Sequence, residues 1–175
     1  MRKFGLIGFP LGHSFSKKYF TEKFKKEEIP NCSFELFEIE KAEQLSEILK
    51  NNPELEGLSV TIPHKQAVIP MLDELDPACE AIGAVNCIQI KKGKLKGYNT
   101  DYIGFKESLE EWLDEKPKSA LILGTGGASK AVKKALEDLG IPFQSVSRSV
   151  SSVTISYETL HAQPELLEEN PLIIN

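Results

Sequence analysis

The sequence is poor in the residues that cross-link a chain or bind a metal ion. Its 175 residues include three cysteines, three histidines and one tryptophan. Cys32, Cys79 and Cys87 form no C-x-x-C pair, and an odd number of cysteines cannot close into a full disulfide framework. The histidines are too scattered along the chain for a zinc site. We therefore expect reduced thiols and no bound metal.

Long apolar runs and an excess of positive charge are also missing. No apolar stretch approaches the roughly 20 residues that a membrane helix needs. The first residues lead directly into a short apolar strand, with no signal peptide visible. Lys and Arg number 21 against 26 Asp and Glu, which gives a formal net charge of −5 and no electrostatic attraction for nucleic acid or an anionic membrane. The sequence predicts a cytoplasmic protein that has neither partner.

What the sequence does contain is an ordinary globular composition with alternating strand and helix patterns. Hydrophobic residues make up 41% and charged residues 27%, which suits a chain of one or two domains with a real core. The first part of the chain is predicted to have strands at 4–9, 33–39, 57–62, 85–90 and 95–98 and helices at 14–26, 42–49, 64–72, 77–82 and 101–113. We expect the last two strands to form a hairpin. This alternation predicts an α/β domain with a mainly parallel sheet.

A change of pattern after Pro117 predicts a second domain. A plain β-α-β unit follows, with a strand at 119–123, a helix at 128–139, a strand at 143–147 and a further strand from 172. We place the boundary in the helix that begins at Asp101, so the predicted domains are 1–101 and 102–175. The second would hold about half of a doubly wound Rossmann-type sheet. We therefore expect it to be C-terminally incomplete, with residues beyond Asn175 missing.

A glycine turn lies between the first strand and the helix of this second domain. Gly124 permits a tight turn, and Gly126 lets the backbone approach a pyrophosphate, whose charge then lies at the start of the helix that Gly127 and Ala128 open. Ser129 stands where the usual pattern has its third glycine. A P-loop does not fit, because the following lysine is not preceded by glycine. The turn predicts a dinucleotide site, and the alternative is a turn that serves packing only.

The end of the next strand indicates which dinucleotide is bound. An NAD site normally offers an acidic residue about 20 residues past the glycines, and the sequence here is Ser147-Arg148-Ser149. Arg148 can pair with a 2′-phosphate, and the two serines can donate to it. The pattern favours NADP over NAD, unless Arg148 is only an exposed cation of a surface loop formed by the serine-rich residues 145–156.

A lysine and an aspartate follow two other predicted elements. Lys65 comes just after the strand at 57–62, and Asp101 stands at a helix start, where the helix dipole favours its ionised form. Oxidation of an alcohol requires a base for the hydroxyl proton, and a lysine can fill that role. Taken alone, each residue has a plainer interpretation. Lys65 can be a surface cation and Asp101 a helix cap.

Five motifs in the same order make the chain resemble the shikimate dehydrogenase family, and the resemblance runs from the N-terminus to Asn175. The motifs are Gly8-Phe-Pro-Leu-Gly-His-Ser-Phe-Ser16, Val60-Thr-Ile-Pro-His-Lys65, Gly83-Ala-Val-Asn86, Asn99-Thr-Asp101 and Gly124-Thr-Gly-Gly-Ala-Ser129.

The resemblance implies reversible, NADP(H)-dependent reduction of 3-dehydroshikimate to shikimate, in chorismate and aromatic amino acid biosynthesis. It implies that Lys65 and Asp101 are the catalytic pair. The residues that it implies for substrate binding are Ser14, Ser16, Thr61 and Asn86. Either serine can instead cap the helix that follows. The implied protein is a monomer or a homodimer.

The chain departs from the family pattern in a few places. The phosphate loop reads Ser147-Arg148-Ser149 where the family often has Asn-Arg-Thr, and Tyr102 follows the aspartate where a small residue is common. In the family, the second domain continues beyond the point that corresponds to Asn175. A chain that ended there would lack part of the cofactor site, which puts its activity in doubt.

Two other functions are compatible with the sequence. One is a quinate/shikimate dehydrogenase that prefers NAD, against which the arginine loop argues. The other is a shikimate- or quinate-binding regulator on the same scaffold without catalysis, against which the presence of both Lys65 and Asp101 argues.

Overall fold

The chain divides into two compact units in a computed structural model, which describes residues 1–149 and 151–175. The first unit is Met1–Asn99 and the second is Thr100–Asn175. The division falls at the start of the helix in which the sequence placed the boundary.

The first unit is built on a six-stranded mixed sheet. Its strands are β1 (Arg2–Gly8), β2 (Cys32–Glu38), β3 (Leu55–Val60), β4 (Glu74–Leu75), β5 (Cys87–Lys91) and β6 (Lys94–Tyr98). They lie in the order β2-β1-β3-β5-β6-β4. The pairs β1/β2, β1/β3 and β4/β6 are parallel, and the pairs β3/β5 and β5/β6 are antiparallel. The predicted mainly parallel α/β sheet is confirmed, and the predicted hairpin forms across Lys92 and Gly93, whose positive φ angles of 52° and 76° suit a two-residue hairpin loop.

Three helices accompany this sheet. They are α1 (Ser16–Lys26), α2 (Leu45–Asn51) and α3 (Pro77–Ile82). A core of fully buried side chains lies on one face of the sheet and includes Ile7, Leu45, Leu58, Val68 and Ile88. The aromatic side chains of α1 pack on β1 and β2, with the Phe20 and Phe34 rings stacked at 4.5 Å between centroids.

The helix predicted at 64–72 is absent. The segment forms successive turns and a short 3-10 helix at Ile69–Met71. Pro70 has no N–H to donate to Gln66, and its ring disfavours helical geometry in the residue before it. The turn bonds Ile69 N–H to Gln66 O (3.2 Å) and Met71 N–H to Val68 O replace the helix. The apolar period alone was therefore a misleading helix signal at this position.

The second unit is a four-stranded parallel sheet with helices. Its elements in chain order are α4 (Thr100–Trp112), β7 (Ala120–Leu123), α5 (Gly127–Asp138), β8 (Phe143–Val146), β9 (Thr154–Ile155), α6 (Tyr157–Ala162), α7 (Glu165–Glu169) and β10 (Leu172–Ile174). The strand order is β10-β7-β8-β9, with every pair parallel. Its core is built from β7, α5 and α4, and includes Leu109, Ala120, Ile122 and Leu136.

The serine-rich residues 145–156, predicted as a surface loop, form one only in part, since residues 148, 149 and 151–153 are exposed and lie outside the strands. Ser145 and Ser147 are buried, and Thr154 begins β9, which pairs with β8. Hydroxyl groups replace apolar contacts here, as Thr154 Oγ1 accepts the Ser151 N–H at 2.9 Å. Val150 lies outside the described residues. A strand of two residues is too short to show a hydrophobic period, so the sequence pattern could not reveal β9.

No helix in the described part of the chain is long and apolar enough to cross a lipid bilayer.

The core of the first unit predicts that truncation of one buried side chain of β5 strongly lowers the free energy of unfolding. Ile88 is fully buried, whereas Ile62 is 73% exposed. Ile88→Ala should lower the free energy of unfolding by about 2–5 kcal/mol, because it removes buried methyl groups and leaves a cavity. The matched Ile62→Ala variant should change it by no more than about 0.5 kcal/mol. Urea unfolding followed by circular dichroism measures both, and equal effects would contradict this core.

Candidate functional site

The carboxyl ends of three adjacent strands meet at one edge of the first sheet. Parallel β1 and β3 are joined there by Thr61 N–H to Ile7 O (3.0 Å) and Phe9 N–H to Ile62 O (3.0 Å). On the other side of β1, Ile39 N–H donates to Gly8 O at 3.1 Å. The loops that follow β1 and β3 therefore start side by side, which is where open α/β sheets bind their ligands.

Gly8 makes this close approach possible. A Cβ atom on Gly8 would lie 2.4 Å from Cγ2 of Thr61 and 2.8 Å from Cδ2 of Leu11, distances that no folded chain tolerates without a shift. The glycine of the first motif thus lets Thr61 lie directly against the end of β1.

The antiparallel strand β5 brings a third segment to the same edge. Asn86 immediately precedes β5, and its carbonyl accepts the Val60 N–H at 2.8 Å. The carbonyl of Lys65 accepts the Val85 N–H at 2.7 Å. Thr61, Lys65 and Asn86 are therefore held on one backbone network at the edge of the sheet. Lys65, Thr61 and Asn86 are all half-buried.

Two buried polar side chains fix the loops that carry these residues. His64 is buried, and its Nε2 lies 2.7 Å from the carbonyl oxygen of Ile39, which attaches the Lys65 loop to the end of β2. Asn99 is also buried and donates from Nδ2 to the carbonyl of Ala84 at 2.9 Å. Asn99 was not predicted to have this anchoring role. Its place in the Asn-Thr-Asp motif was the signal that could have suggested it.

Ser14 and Ser16 lie in the loop after β1 and at the first residue of α1. Ser14 Oγ accepts the Ser16 N–H at 3.3 Å, and the residue at the N-cap position, Phe15, has no side-chain cap. Neither serine makes the predicted N-cap bond. Both serines are half-buried.

The two thiols near this region are poor nucleophiles. Burial raises the pKa of the Cys79 thiol to about 11, with a contribution from Asp76, and Cys79 Sγ donates to the carbonyl of Ala84 at 3.1 Å. Burial also raises the pKa of Cys87. Both thiols stay protonated near neutral pH, so covalent catalysis by cysteine has no support in these two residues.

In the second unit, the glycine turn and the phosphate loop line one cavity. The cavity has a volume of about 640 Å³ and is lined by Gly124, Thr125, Gly126, Ser147, Arg148, Ser149 and Tyr157. Gly124 has φ of 112°, a conformation that favours glycine, and its N–H donates to the Val146 carbonyl at 2.8 Å. Gly127 and Ala128 form the first residues of α5.

The backbone of residues 124–127, here called the glycine cradle, has open space beside it that a ligand can enter. A Cβ atom built on Gly124, Gly126 or Gly127 meets nothing within 4 Å. Ser129 Oγ donates to the carbonyl of Gly126 at 2.6 Å and so braces the turn, which explains how a serine serves where a third glycine is usual. Bare backbone beside a helix start, with an arginine across the cavity, suits the phosphates of a dinucleotide.

Ser147 connects the turn to the arginine loop. It is buried, its Oγ accepts the Ser149 N–H at 3.2 Å, and it lies 3.4 Å from Thr125 Oγ1. Arg148, between the serines, is exposed.

Sequence reasoning missed two of the residues that line the cavity. Thr125 lies within the glycine turn, so its position in the motif could have indicated that it lines the cavity. Tyr157 follows the strand that the sequence did not reveal, and no motif pointed to it.

The structure places the predicted site residues in two groups. Lys65 and the residues implied for substrate binding lie in the first unit. Asp101 and the residues implied for cofactor binding lie in the second, where Asp101 is half-buried in the first turn of α4. The pairing of Lys65 with Asp101 stays a prediction. No cluster of three or more metal-ligating side chains occurs among residues 1–149 and 151–175.

Tyr102, next to Asp101, holds α4 against α5. Its hydroxyl donates to Asp138 Oδ2 at 2.6 Å, Lys134 forms an ion pair with the same carboxylate, and the Lys134 ammonium lies 5.9 Å from the centre of the Tyr102 ring. The bond to Asp138, followed by burial and by nearby negative charge, raises the pKa of Tyr102 to about 12. The contact with Lys134, and then that with Tyr102, lowers the pKa of Asp138.

Together these features define an α/β protein of two units. One has polar residues and a lysine at a sheet edge, and the other has a dinucleotide-type glycine turn.

Residues 6–88 match the family model of the shikimate dehydrogenase substrate binding domain. The NADP(+) shikimate dehydrogenase of Syntrophomonas wolfei is 45% identical over 139 residues, which are 78% of this chain and 47% of that protein. The chain belongs to the shikimate dehydrogenase family.

Solved structures agree in fold. Shikimate dehydrogenase 1 from Peptoclostridium difficile superposes with a TM-score of 0.80 at 37% identity, covering 91% of this chain and 62% of that one. Shikimate 5-dehydrogenase from Thermus thermophilus, solved with NADP(H) and shikimate, gives 0.75 at 30% identity, covering 100% and 63%. The predicted family and its α/β, Rossmann-type fold are confirmed. The chain spans about half to two thirds of the length of the relatives that it matches.

The Tyr102 contact predicts an unusual tyrosine titration. One of the four tyrosines should ionise near pH 12, and Asp138→Asn should return that pKa towards the ordinary value of 10, because it removes the charged acceptor. A raised pKa in the folded state contributes stability that is present below about pH 10 and lost as the pH rises through about 12. Tyrosinate absorbance after a rapid pH jump measures this step. If a tyrosine of the Asp138→Asn variant still ionises near pH 12, the assignment of this titration to Tyr102 is contradicted.

Proposed function

We propose that this protein is an NADP-dependent shikimate dehydrogenase that interconverts 3-dehydroshikimate and shikimate in aromatic amino acid and chorismate biosynthesis. The observation that carries the proposal is the single backbone network that holds Thr61, Lys65 and Asn86 at one sheet edge. The backbones of the segment after β3, which carries Thr61 and the half-buried Lys65, and of the segment before β5, which carries Asn86, are bonded to each other there. The family membership then supplies the substrate class.

The residues of the first unit suit a small hydroxylated carboxylic acid. Ser14 and Ser16 have hydroxyls that donate to a carboxylate, and the amide of Asn86 both donates to and accepts from ring hydroxyls. Thr61 lies directly against Gly8 at the end of β1, and its hydroxyl is a further uncharged donor. Four uncharged groups and one lysine bind such an acid and select for the position of its hydroxyls.

Lys65 would exchange the proton of the reacting hydroxyl. As an amine, Lys65 removes this proton during oxidation, and as an ammonium it returns the proton during reduction. Asp101 would hold the Lys65 amine in place. When bound, NADP(H) accepts or supplies the hydride at the same carbon.

The cavity of the second unit fits a dinucleotide that carries a 2′-phosphate. The open cradle at Gly124 and Gly126 leaves room for the pyrophosphate. Across the cavity, Arg148 offers a bidentate cation and Ser149 a hydroxyl, and neither is acidic. This donor set favours NADP over NAD, so an NAD-preferring quinate/shikimate dehydrogenase fits less well. We also infer a cytoplasmic protein that is a monomer or a homodimer.

Removal of the Lys65 amine should abolish catalysis but spare binding. Lys65→Ala should lower kcat for shikimate oxidation by about 10²–10⁴-fold, the usual contribution of a general acid–base group, with little change in the Kd for shikimate. The assay follows NADPH absorbance and, separately, shikimate binding by calorimetry.

The matched control is Lys91→Ala, which removes an exposed lysine at the end of β5. It should leave both quantities unchanged. Retained turnover in Lys65→Ala would overturn the proposed role. Shikimate binding by wild-type protein without any turnover would instead support a non-catalytic regulator.

A methyl group in the glycine cradle should block the cofactor without harming the fold. Gly126 has φ of −70° and an unobstructed Cβ position, so Gly126→Ala should keep the wild-type melting temperature. Its added methyl occupies the space where the backbone approaches the pyrophosphate. We expect NADP+ affinity to fall at least about ten-fold, with the wild-type protein binding NADP+ more tightly than NAD+.

Gly104→Ala is the control, because Gly104 lies within α4 and its Cβ position is equally open. It should leave NADP+ affinity unchanged. Equal NADP+ affinity in wild type and Gly126→Ala would place the cofactor elsewhere.

A further inference from the structure

One wall of the cofactor cavity is not explained by the dinucleotide motif. Tyr157 lines the cavity together with the glycine turn and the loop of Ser147, Arg148 and Ser149. It lies in the first turn of α6, far along the chain from the glycine turn.

The sheet brings Tyr157 to this position. β9 pairs with β8 in parallel, with Val146 opposite Ile155, and Ser147 N–H donates to the Ile155 carbonyl at 2.8 Å. The backbone just before Tyr157 is thus bonded directly to the start of the arginine loop. Ser156 Oγ accepts the Thr159 N–H at 2.9 Å, which caps α6 and fixes the direction in which the chain leaves the strand.

The Tyr157 hydroxyl is available for a ligand. The side chain is 39% exposed. Within residues 1–149 and 151–175, its hydroxyl has no hydrogen-bond partner, in contrast to the hydroxyls of Ser147 and Ser156. A phenol that borders a cavity without an internal partner is a donor for whatever occupies that cavity.

The charge of the cavity wall indicates what that ligand is. Arg148 is the cation of the wall, and the serine hydroxyls and Tyr157 are neutral donors, so the set suits a phosphate monoester. A phosphate has three oxygens that accept hydrogen bonds, and one arginine fork leaves at least one of them for another donor.

We propose that Tyr157 is a specificity-determining residue of the cofactor site, whose hydroxyl donates to the 2′-phosphate of NADP(H) while Arg148 supplies the charge. The inference rests on the proposed dinucleotide site. It predicts that Tyr157 affects nucleotides with a 2′-phosphate and not those without one.

The test uses two nucleotide fragments that differ only in this group, 2′,5′-ADP and 5′-AMP, titrated into the chain and followed by NMR. Tyr157→Phe should weaken 2′,5′-ADP binding by about ten-fold, the effect of one hydrogen bond to a charged group, and leave 5′-AMP affinity unchanged. The ratio of the two affinities is the readout. Tyr157→Phe removes an unpartnered hydroxyl, so its melting temperature should equal that of wild type.

Tyr19→Phe is the matched control, because Tyr19 is an exposed tyrosine of the first unit, and it should leave both affinities unchanged. An unchanged affinity ratio in Tyr157→Phe, with wild type binding 2′,5′-ADP, would overturn the role of Tyr157 alone. If Tyr157→Ala weakens the binding of both nucleotides equally and Tyr157→Phe has no effect, the ring of Tyr157 packs against the nucleotide. That result would also overturn the proposed role of the hydroxyl. If the wild-type chain binds neither nucleotide, the proposed cofactor site fails together with this inference.

Discussion

The hydrogen bonds that join β1 to its two neighbours at their carboxyl ends are the constraint on which the first unit depends. Thr61 N–H to Ile7 O on one side and Ile39 N–H to Gly8 O on the other bring three loops to one point. Gly8 permits this contact because any side chain there would collide with Thr61. The loops therefore begin from a rigid base, although they contain prolines, turns and no long helix. The candidate substrate residues take their positions from this base.

The second unit applies the same principle with different groups. The Gly124 N–H bonds to the end of β8, and Ser147 N–H bonds to the end of β9, so three consecutive strand ends surround one cavity. Serine hydroxyls take the place of packed apolar side chains around the arginine loop. In both units the segments that carry the candidate site residues are positioned by backbone bonds at strand ends.

Much of the framework could be predicted from the sequence. The glycine turn, β7, α5 and the β5–β6 hairpin all carry local signals, such as the glycines of the turn and the Lys92-Gly93 loop, that act over a few residues. The segment after Lys65 was misjudged because Pro70 outweighs an apolar period. β9 and Tyr157 were missed because a strand of two residues is too short to show a hydrophobic period. The anchoring roles of His64 and Asn99 depend on carbonyls that are distant in sequence, and no single sequence specifies such contacts.

In the proposed function, shikimate binds at the sheet edge formed by the ends of β1, β3 and the start of β5. The most direct measurement is a titration of the 15N-labelled wild-type chain with shikimate, following backbone amide shifts. We predict saturable shifts concentrated at Ser14, Thr61, Lys65 and Asn86, with the amides of β8 and α6 unaffected. Shifts confined to another part of the chain, or none at saturating shikimate, would contradict the claim.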